Sequence, residues 1–397
     1  MIRTAHTFFE FFAGGGMARV GLGDAWRCGF ANDVDAMKVA TYVENFGAGD
    51  ITRADVAQLT LADLPAFAPD LVWASFPCQD LSLAGDYRGL GGERDDAPTR
   101  SGTFWPFWKL MRALIADGRA PHLVVLENVY GVLTSRNGED FAAIAAALSQ
   151  EKYRFGAIVL DAADFVPQSR PRVFFIAARA DASLPDAVVS DGPCDRLHPA
   201  TLVEANARLR EREKSNWIWW RLPRPALRNS RLADIIEQDP AGVAWRTPAE
   251  TKALLDMMSP INRAKVAQAR KAGALMVGAV YKRTRFDESG AKVQRAEVRF
   301  DDVAGCLRTP AGGSSRQTIL VVDGKSARSR LLSPREAARL MGLPDQYKLP
   351  ARYNDAYRVC GDGVCAPVVS HIARHILEPA LEPALAKKIA SEQIAAA

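Results

Sequence analysis

Short apolar runs alternate with stretches of helical spacing through the first 180 residues. Phe8–Phe12, Leu71–Ser75, Leu123–Leu126 and Val173–Ala177 are compact apolar runs, which predicts buried strands. A further strand is plausible just before Asp33. Ala36–Phe46, Trp105–Ala116 and Phe141–Ser149 return apolar residues every three or four positions, which predicts helices. Strands that alternate with helices imply an α/β chain with a doubly wound, mostly parallel, Rossmann-like sheet. Ligands of such sheets bind beyond the carboxyl ends of the strands. The pattern changes at 181–200, where Asp, Pro, Gly and Ser dominate, and this predicts a domain boundary. Irregular periodicity follows to about 325, so residues 181–329 are expected to form a smaller, irregular domain after a first domain at 1–180. Helical spacing returns at Ser333–Met341 and stops at Gly342 and Pro344. Residues 330–357 then read as a hinge, and 358–397 as a segment that completes the first domain. The alanine-rich stretch Leu381–Ala397 predicts a terminal helix.

Composition narrows the class. Apolar residues make up 48% of the 397 and charged residues 24%, as in an ordinary globular protein. No apolar run reaches the roughly 18–20 residues that span a bilayer. Met1–Glu10 lacks the basic-then-apolar order of a signal peptide, so a cytoplasmic protein is expected. The six cysteines are scattered and form no CxxC pair, which argues against a structural zinc site or a disulfide framework, and no metal is expected. Net charge is +5, yet residues 201–300 alone carry 20 Lys+Arg against 11 Asp+Glu. A basic middle in an otherwise slightly acidic chain fits either a polyanion partner or a solvated helical surface.

Several motifs fall at the predicted strand ends. Phe11-Phe12-Ala13-Gly14-Gly15-Gly16-Met17 is a glycine-rich strand-to-helix turn, suited to a nicotinamide dinucleotide, to S-adenosylmethionine or to no ligand at all. Asp33 and Asp35 can accept from ribose hydroxyls or cap the helix that begins at Ala36. Phe76-Pro77-Cys78-Gln79 sets a cysteine between a strand end and a glycine-rich, charged loop, Gly85–Gly102. That context makes Cys78 a nucleophile candidate, against the plainer reading of a small buried residue. Glu127-Asn128-Val129 puts a carboxyl at the mouth of a buried strand, fit for proton donation or for pairing with an arginine. In Gln168-Ser169-Arg170-Pro171-Arg172 the alternating arginines are expected to share one face, toward an oxygen-rich ligand or in surface ion pairs.

In order and spacing these motifs resemble the cytosine-5 DNA methyltransferase family of bacterial type. The likeness adds Arg330-Leu331-Leu332-Ser333-Pro334-Arg335-Glu336, and Gly361-Asp362-Gly363-Val364 where the family usually has Gly-Asn-Ser-Val. It spans about residues 8–375. The tRNA-methylating relatives usually carry a Cys-Phe-Thr signature, which this chain lacks. The resemblance implies an S-adenosylmethionine methyltransferase fold whose smaller domain recognises the target. It implies that Cys78 attacks C6 of a cytosine flipped out of duplex DNA, that Glu127 serves N3 and Arg172 O2, with Arg170 beside them. It implies that Phe12, Gly14, Gly15, Gly16, Asp33, Asp50, Ile51, Pro77, Asp362 and Val364 hold S-adenosylmethionine. Expected DNA contacts are Gln79, Ser82 and Arg100 in the loop; Arg208, Arg210, Arg212 and Lys214 along one helix face; and Lys282, Arg283, Arg285 and Arg316. Trp217, Trp219 and Trp220 read as core of the smaller domain before base-stacking groups. A monomer is expected, acting alone or beside a restriction endonuclease of the host.

Overall fold

The computed structural model describes residues 5–78, 89–91, 101–286, 289–309 and 316–382. Gln79, Ser82 and Arg100 lie outside the described residues, as does nearly all of the expected terminal helix. Contacts divide the chain into two units. One holds Met1–Asp161, Pro171–Arg224 and Val368–Ala397; the other holds Ala162–Arg170 and Pro225–Pro367.

Seven strands build the sheet of the first unit: β1 (His6–Phe11), β2 (Trp26–Asp33), β3 (Ile51–Arg53), β4 (Leu71–Ala74), β5 (Leu123–Val129), β6 (Tyr153–Asp161) and β7 (Pro171–Arg179). Their order is β3-β2-β1-β4-β5-β7-β6. The first five pair in parallel, and β7 runs antiparallel to both β5 and β6. From β1 the chain winds outward through β2 and β3; from β4 it winds the other way. Right-handed crossovers then put helices on opposite faces, and the reversal leaves a crevice at the carboxyl ends of β1 and β4. The helices are α1 (Met17–Leu22), α2 (Ala36–Phe46), α3 (Phe104–Ala116) and α4 (Glu139–Gln150). Phe104, Phe107, Met111 and Leu114 of α3 and Phe141, Ile144 and Leu148 of α4 join Phe11, Val72, Val124 and Phe175 of the strands in one apolar core. Among the described residues no helix is long and apolar enough to cross a membrane.

β6 escaped the sequence reading because Gly156 interrupts its apolar run. The glycine serves a close approach: a Cβ there would stand 1.8 Å from the Ile218 carbonyl oxygen. The composition change at 181 predicted a boundary, but the contact division falls at Arg224. Residues 181–224 stay with the sheet because their tryptophans are built into it. Trp217 bridges to Phe155, and the fully buried Trp220 donates to the Ile176 carbonyl at 3.0 Å. This stretch holds β8 (Val189–Ser190), α5 (Ala200–Ala207), α6 (Glu211–Ser215) and β9 (Trp219–Trp220).

The second unit is more regular than its sequence predicts. It contains α7 (Leu232–Ile235), α8 (Pro248–Asp256), α9 (Pro260–Lys271), α10 (Pro334–Leu340) and α11 (Tyr353–Asp362). β10 (Met276–Phe286), β11 (Lys292–Arg299), β12 (Thr318–Asp323) and β13 (Ser326–Leu331) form an antiparallel sheet in the order β11-β10-β12-β13. Leu254 of α8 and Met258 just beyond it, with Val266 and Ala269 of α9, pack on Val280, Val298, Leu320 and Val322. β10 hid its strand character because its first half is buried on both sides and its second half is exposed. Neither half alternates. The expected hinge, 330–357, belongs wholly to this unit.

Candidate active site

At the end of β1 the backbone turns through Phe12, Gly14 and Gly16, all at positive φ (57°, 57° and 78°). Glycine takes this region freely, whereas phenylalanine there is a strained conformer of the kind that clusters at functional sites. A Cβ on Gly14 would meet nothing within 4 Å, so open space lies against its backbone. A Cβ on Gly16 would stand 2.4 Å from the Phe46 ring. Of the two acids at the second strand end, Asp35 takes the capping role. It caps α2, accepting from the Met37 and Lys38 amides at 3.0 and 3.1 Å. Asp33 instead accepts from the Gly14 amide at 2.9 Å and from the Asp35 amide at 2.8 Å, which fixes the glycine turn on β2. Asp50 is a brace, its carboxylate bound to Arg19 at 2.9 Å. Ile51 opens β3 opposite Ala31.

Glu10, the next-to-last residue of β1, went unread in the sequence. It is 2% exposed, and its Oε2 has no hydrogen-bond partner among the described residues. Burial pushes its carboxyl up to about 8, against the pull of Arg19 and with a further push from Asp33. The available signal was an acid inside the otherwise apolar run Phe8–Phe12. Burial also lifts the Cys28 thiol nearby to about 12, which marks it as inert.

Beyond β4, Ser75-Phe76-Pro77 leads to Cys78, a half-exposed thiol. Phe76 is buried, and its carbonyl accepts from the Asn128 side-chain amide at 3.1 Å. The oxygen of the same side chain accepts from the Val129 amide at 2.8 Å. Asn128 thus ties the turn carrying Cys78 to the end of β5. One residue earlier, Glu127 is 6% exposed and meets Arg172 Nε at 3.1 Å. Register explains the pair: Arg172 of β7 faces Val129 of β5, diagonal to Glu127 on the same side of the sheet.

The two arginines expected to share a face do not. Arg170 precedes β7, which begins at Pro171, so strand alternation does not govern it. It is 3% exposed and donates to three carbonyls of its own unit: Leu307 at 3.2 Å, Gly361 at 2.9 Å and Gly363 at 2.7 Å. Arg170 thus clamps the Gly361–Val364 turn. Within that turn Asp362 accepts from the Thr309 hydroxyl and lies 3.8 Å from Arg358, while Val364 is buried. Gln168 is wholly buried between the Leu307 amide and the Leu340 carbonyl.

The expected basic helix face also dissolves. Arg208 ends α5, and Arg210 has extended backbone (φ −72°, ψ 158°) before α6. Arg208, Arg210, Arg212 and Lys214 therefore share no single helix, and they belong to the first unit. Lys214 pairs with Glu211 at 3.1 Å. Lys282, Arg283 and Arg285 are exposed on β10, and the Arg316 guanidinium lies 5.5 Å above the Tyr353 ring.

Residues 6–378 match the family model described as C-5 cytosine-specific DNA methylase. The type II methyltransferase M.NlaX of Neisseria lactamica is 27% identical over 368 residues, covering 92% of this chain and 94% of that one. M.HhaI of Haemophilus parahaemolyticus, also a type II methyltransferase, is 26% identical over 376 residues, covering 93% and 94%. Among solved structures, the Dnmt2 methyltransferase of S. pombe shares the fold with a TM-score of 0.56 at 17% identity, covering 94% of this chain and 99% of that one. The chain belongs to the C-5 cytosine-specific DNA methylase family and is a DNA (cytosine-5-)-methyltransferase that draws its methyl group from S-adenosylmethionine.

Proposed function

We propose that Cys78 adds through its sulfur to C6 of a cytosine flipped out of a specific duplex sequence, and that Glu127 and Arg172 support the ring as a pair. The observation that carries this reading is the joining of the two strand ends. Asn128 fixes the turn two residues before Cys78, and Glu127 beside it is bound to Arg172. C5 of cytosine is a poor nucleophile until C6 is saturated, and addition of a thiolate makes C5 an enamine carbon. Glu127 holds a proton at N3, and Arg172 stabilises the charge that gathers on O2. With a methyl group on C5, loss of the C5 proton to a base and departure of the Cys78 sulfur restore the ring. Flipping is required because a stacked base shows neither face to the thiol, and it costs a few kcal/mol.

The glycine turn fits S-adenosylmethionine. Space at Gly14 admits a ligand against the backbone, and the Asp33 carboxylate keeps accepting capacity beyond its two amide bonds. Phe12, Gly14, Gly15, Gly16 and Asp33 would hold the molecule, with Asp50, Ile51 and Pro77 at its border. When bound, it supplies an electrophilic methyl group carried on a sulfonium. The second unit acts as the target-recognition domain. The protein works as a monomer and marks host DNA against an endonuclease of the same specificity, a reading supported by its type II relatives.

A duplex library with 5-fluorocytosine in place of cytosine tests the adduct, because fluorine at C5 blocks the elimination. With S-adenosylmethionine present, a denaturant-stable protein–DNA band is expected, and Cys78→Ser should abolish it. Absence of the band from the active wild-type enzyme would refute the addition.

A further inference from the structure

The pair β10–β11 outruns the sheet it belongs to. β12 covers β10 only from Met276 to Val280, whereas β11 accompanies β10 from Ala279 to Phe286. Lys282–Phe286 and Lys292–Arg295 therefore form a two-stranded ribbon beyond the sheet, with every residue exposed except the half-buried Val293. The connecting residues 287–288 lie outside the described residues.

Register sorts the ribbon into two faces. Arg283 stands opposite Arg295, and Arg285 opposite Val293, on the face that also carries Tyr281 and Glu297. The other face pairs Lys282 with Ala296, Thr284 with Gln294, and Phe286 with Lys292. On the arginine face a single carboxylate splints two guanidinium groups: Glu297 meets Arg283 Nε at 3.2 Å and Arg285 Nε at 3.1 Å. That face of the ribbon thus carries three guanidinium groups, Arg283, Arg285 and Arg295, beside one carboxylate, Glu297. Arg283 and Arg295 are like charges directly opposite each other, an arrangement that disfavours the free protein. A partner offering paired acceptors relieves it.

We infer that this ribbon enters the major groove of the target duplex with its arginine face toward the bases, and that Arg283 and Arg295 read guanine there. The major groove admits a two-stranded β-ribbon, and a guanidinium matches guanine O6 and N7 with two parallel bonds. Glu297 is a positioning residue: it holds Arg283 and Arg285 in place before DNA arrives, which lowers the entropy lost on binding. Lys282 and Lys292, on the opposite face, serve the phosphates. The inference rests on the DNA substrate and is independent of the Cys78 adduct. A plain alternative is that these charges only keep β11, an edge strand, from pairing with other chains.

Methylation mapping of a host expressing the wild-type chain gives its recognition motif. Arg283→Ala, Arg295→Ala and Arg283→Lys are then mapped in the same host. The expected result is relaxation at particular guanine positions, by about 10- to 100-fold in discrimination, with the rest of the motif intact. Arg283→Lys should relax the motif as Ala does, because it keeps the charge and loses the fork. A variant too weak to map is purified, and its gel-shift affinity is compared between the target duplex and duplexes changed at each guanine. Lost discrimination supports the inference. An unchanged motif or unchanged discrimination in all three variants, at any level of methylation, overturns it, as does a lysine variant indistinguishable from wild type. Success of the 5-fluorocytosine trap with failure here would leave the adduct standing and remove only the ribbon's role.

Discussion

Replacing Glu10 with glutamine exchanges one buried oxygen for an NH2 group and removes a titration from the carboxyl end of β1. Burial raises this carboxyl from 4.5 to about 8. The folded protein therefore keeps a proton that the unfolded chain releases above 4.5. Stability contributed by that proton is full below about 4.5, declines as the pH rises, and is gone above about 8. At about 1.4 kcal/mol per pH unit, the ceiling on the loss is about 5 kcal/mol, and relaxation around the site will lower it. Glutamine stays neutral at every pH and so escapes the decline. Other groups also titrate: burial holds His198 down at about 4, which costs the fold stability on the acid side as the pH falls below 6.5. The comparison of wild type with Glu10→Gln cancels that contribution. Urea denaturation of both proteins without cofactor, at steps from about pH 5 to pH 9, reads the difference directly. The variant should gain on the wild type by several kcal/mol across the range. Two stability curves that stay parallel would refute the assignment of a buried, protonated Glu10.

Four further outcomes follow from the geometry of the site. Gly16→Ala forces a Cβ to within 2.4 Å of Phe46 at a φ of 78°, so it should lower the melting temperature and cost at least the roughly 1–2 kcal/mol of a left-handed alanine. Gly14→Ala, with open space instead, should melt nearer to wild type yet bind S-adenosylmethionine more weakly by calorimetry; unchanged binding would remove Gly14 from the cofactor site. Arg172→Lys should cut kcat by about 100-fold or more with little change in melting, as expected for a lost charge stabiliser. Arg170→Met should instead lower the melting temperature, because three carbonyls lose a donor at about 1–3 kcal/mol each. The reverse pattern would place Arg170 in the chemistry.

Sequence pattern served best where one physical signal dominated. α2 was legible to the residue because Asp35 caps its start and Gly47, at a φ of 84°, ends it. The motif-bearing strand ends were legible because glycine, proline and isolated polar residues punctuate apolar runs. Pattern failed where two environments meet within one element. β10 changes from buried to exposed at its midpoint, and β6 carries a glycine for a neighbour's backbone. The arginines failed for a third reason: period-two alternation holds only inside a strand, and Pro171 is where the strand begins. Glu10 was hidden by its apolar neighbours, although an acid inside such a run is itself a signal.

The excursion Ala162–Arg170 has a practical consequence for anyone seeking to exchange specificities between relatives. It belongs by contact to the second unit, and its Gln168 and Arg170 hold the backbone at 307, 340, 361 and 363. A graft cut at 225 and 367 would transplant a module without its keystone peptide. A nine-residue splice, taken from the same donor, has to travel with it.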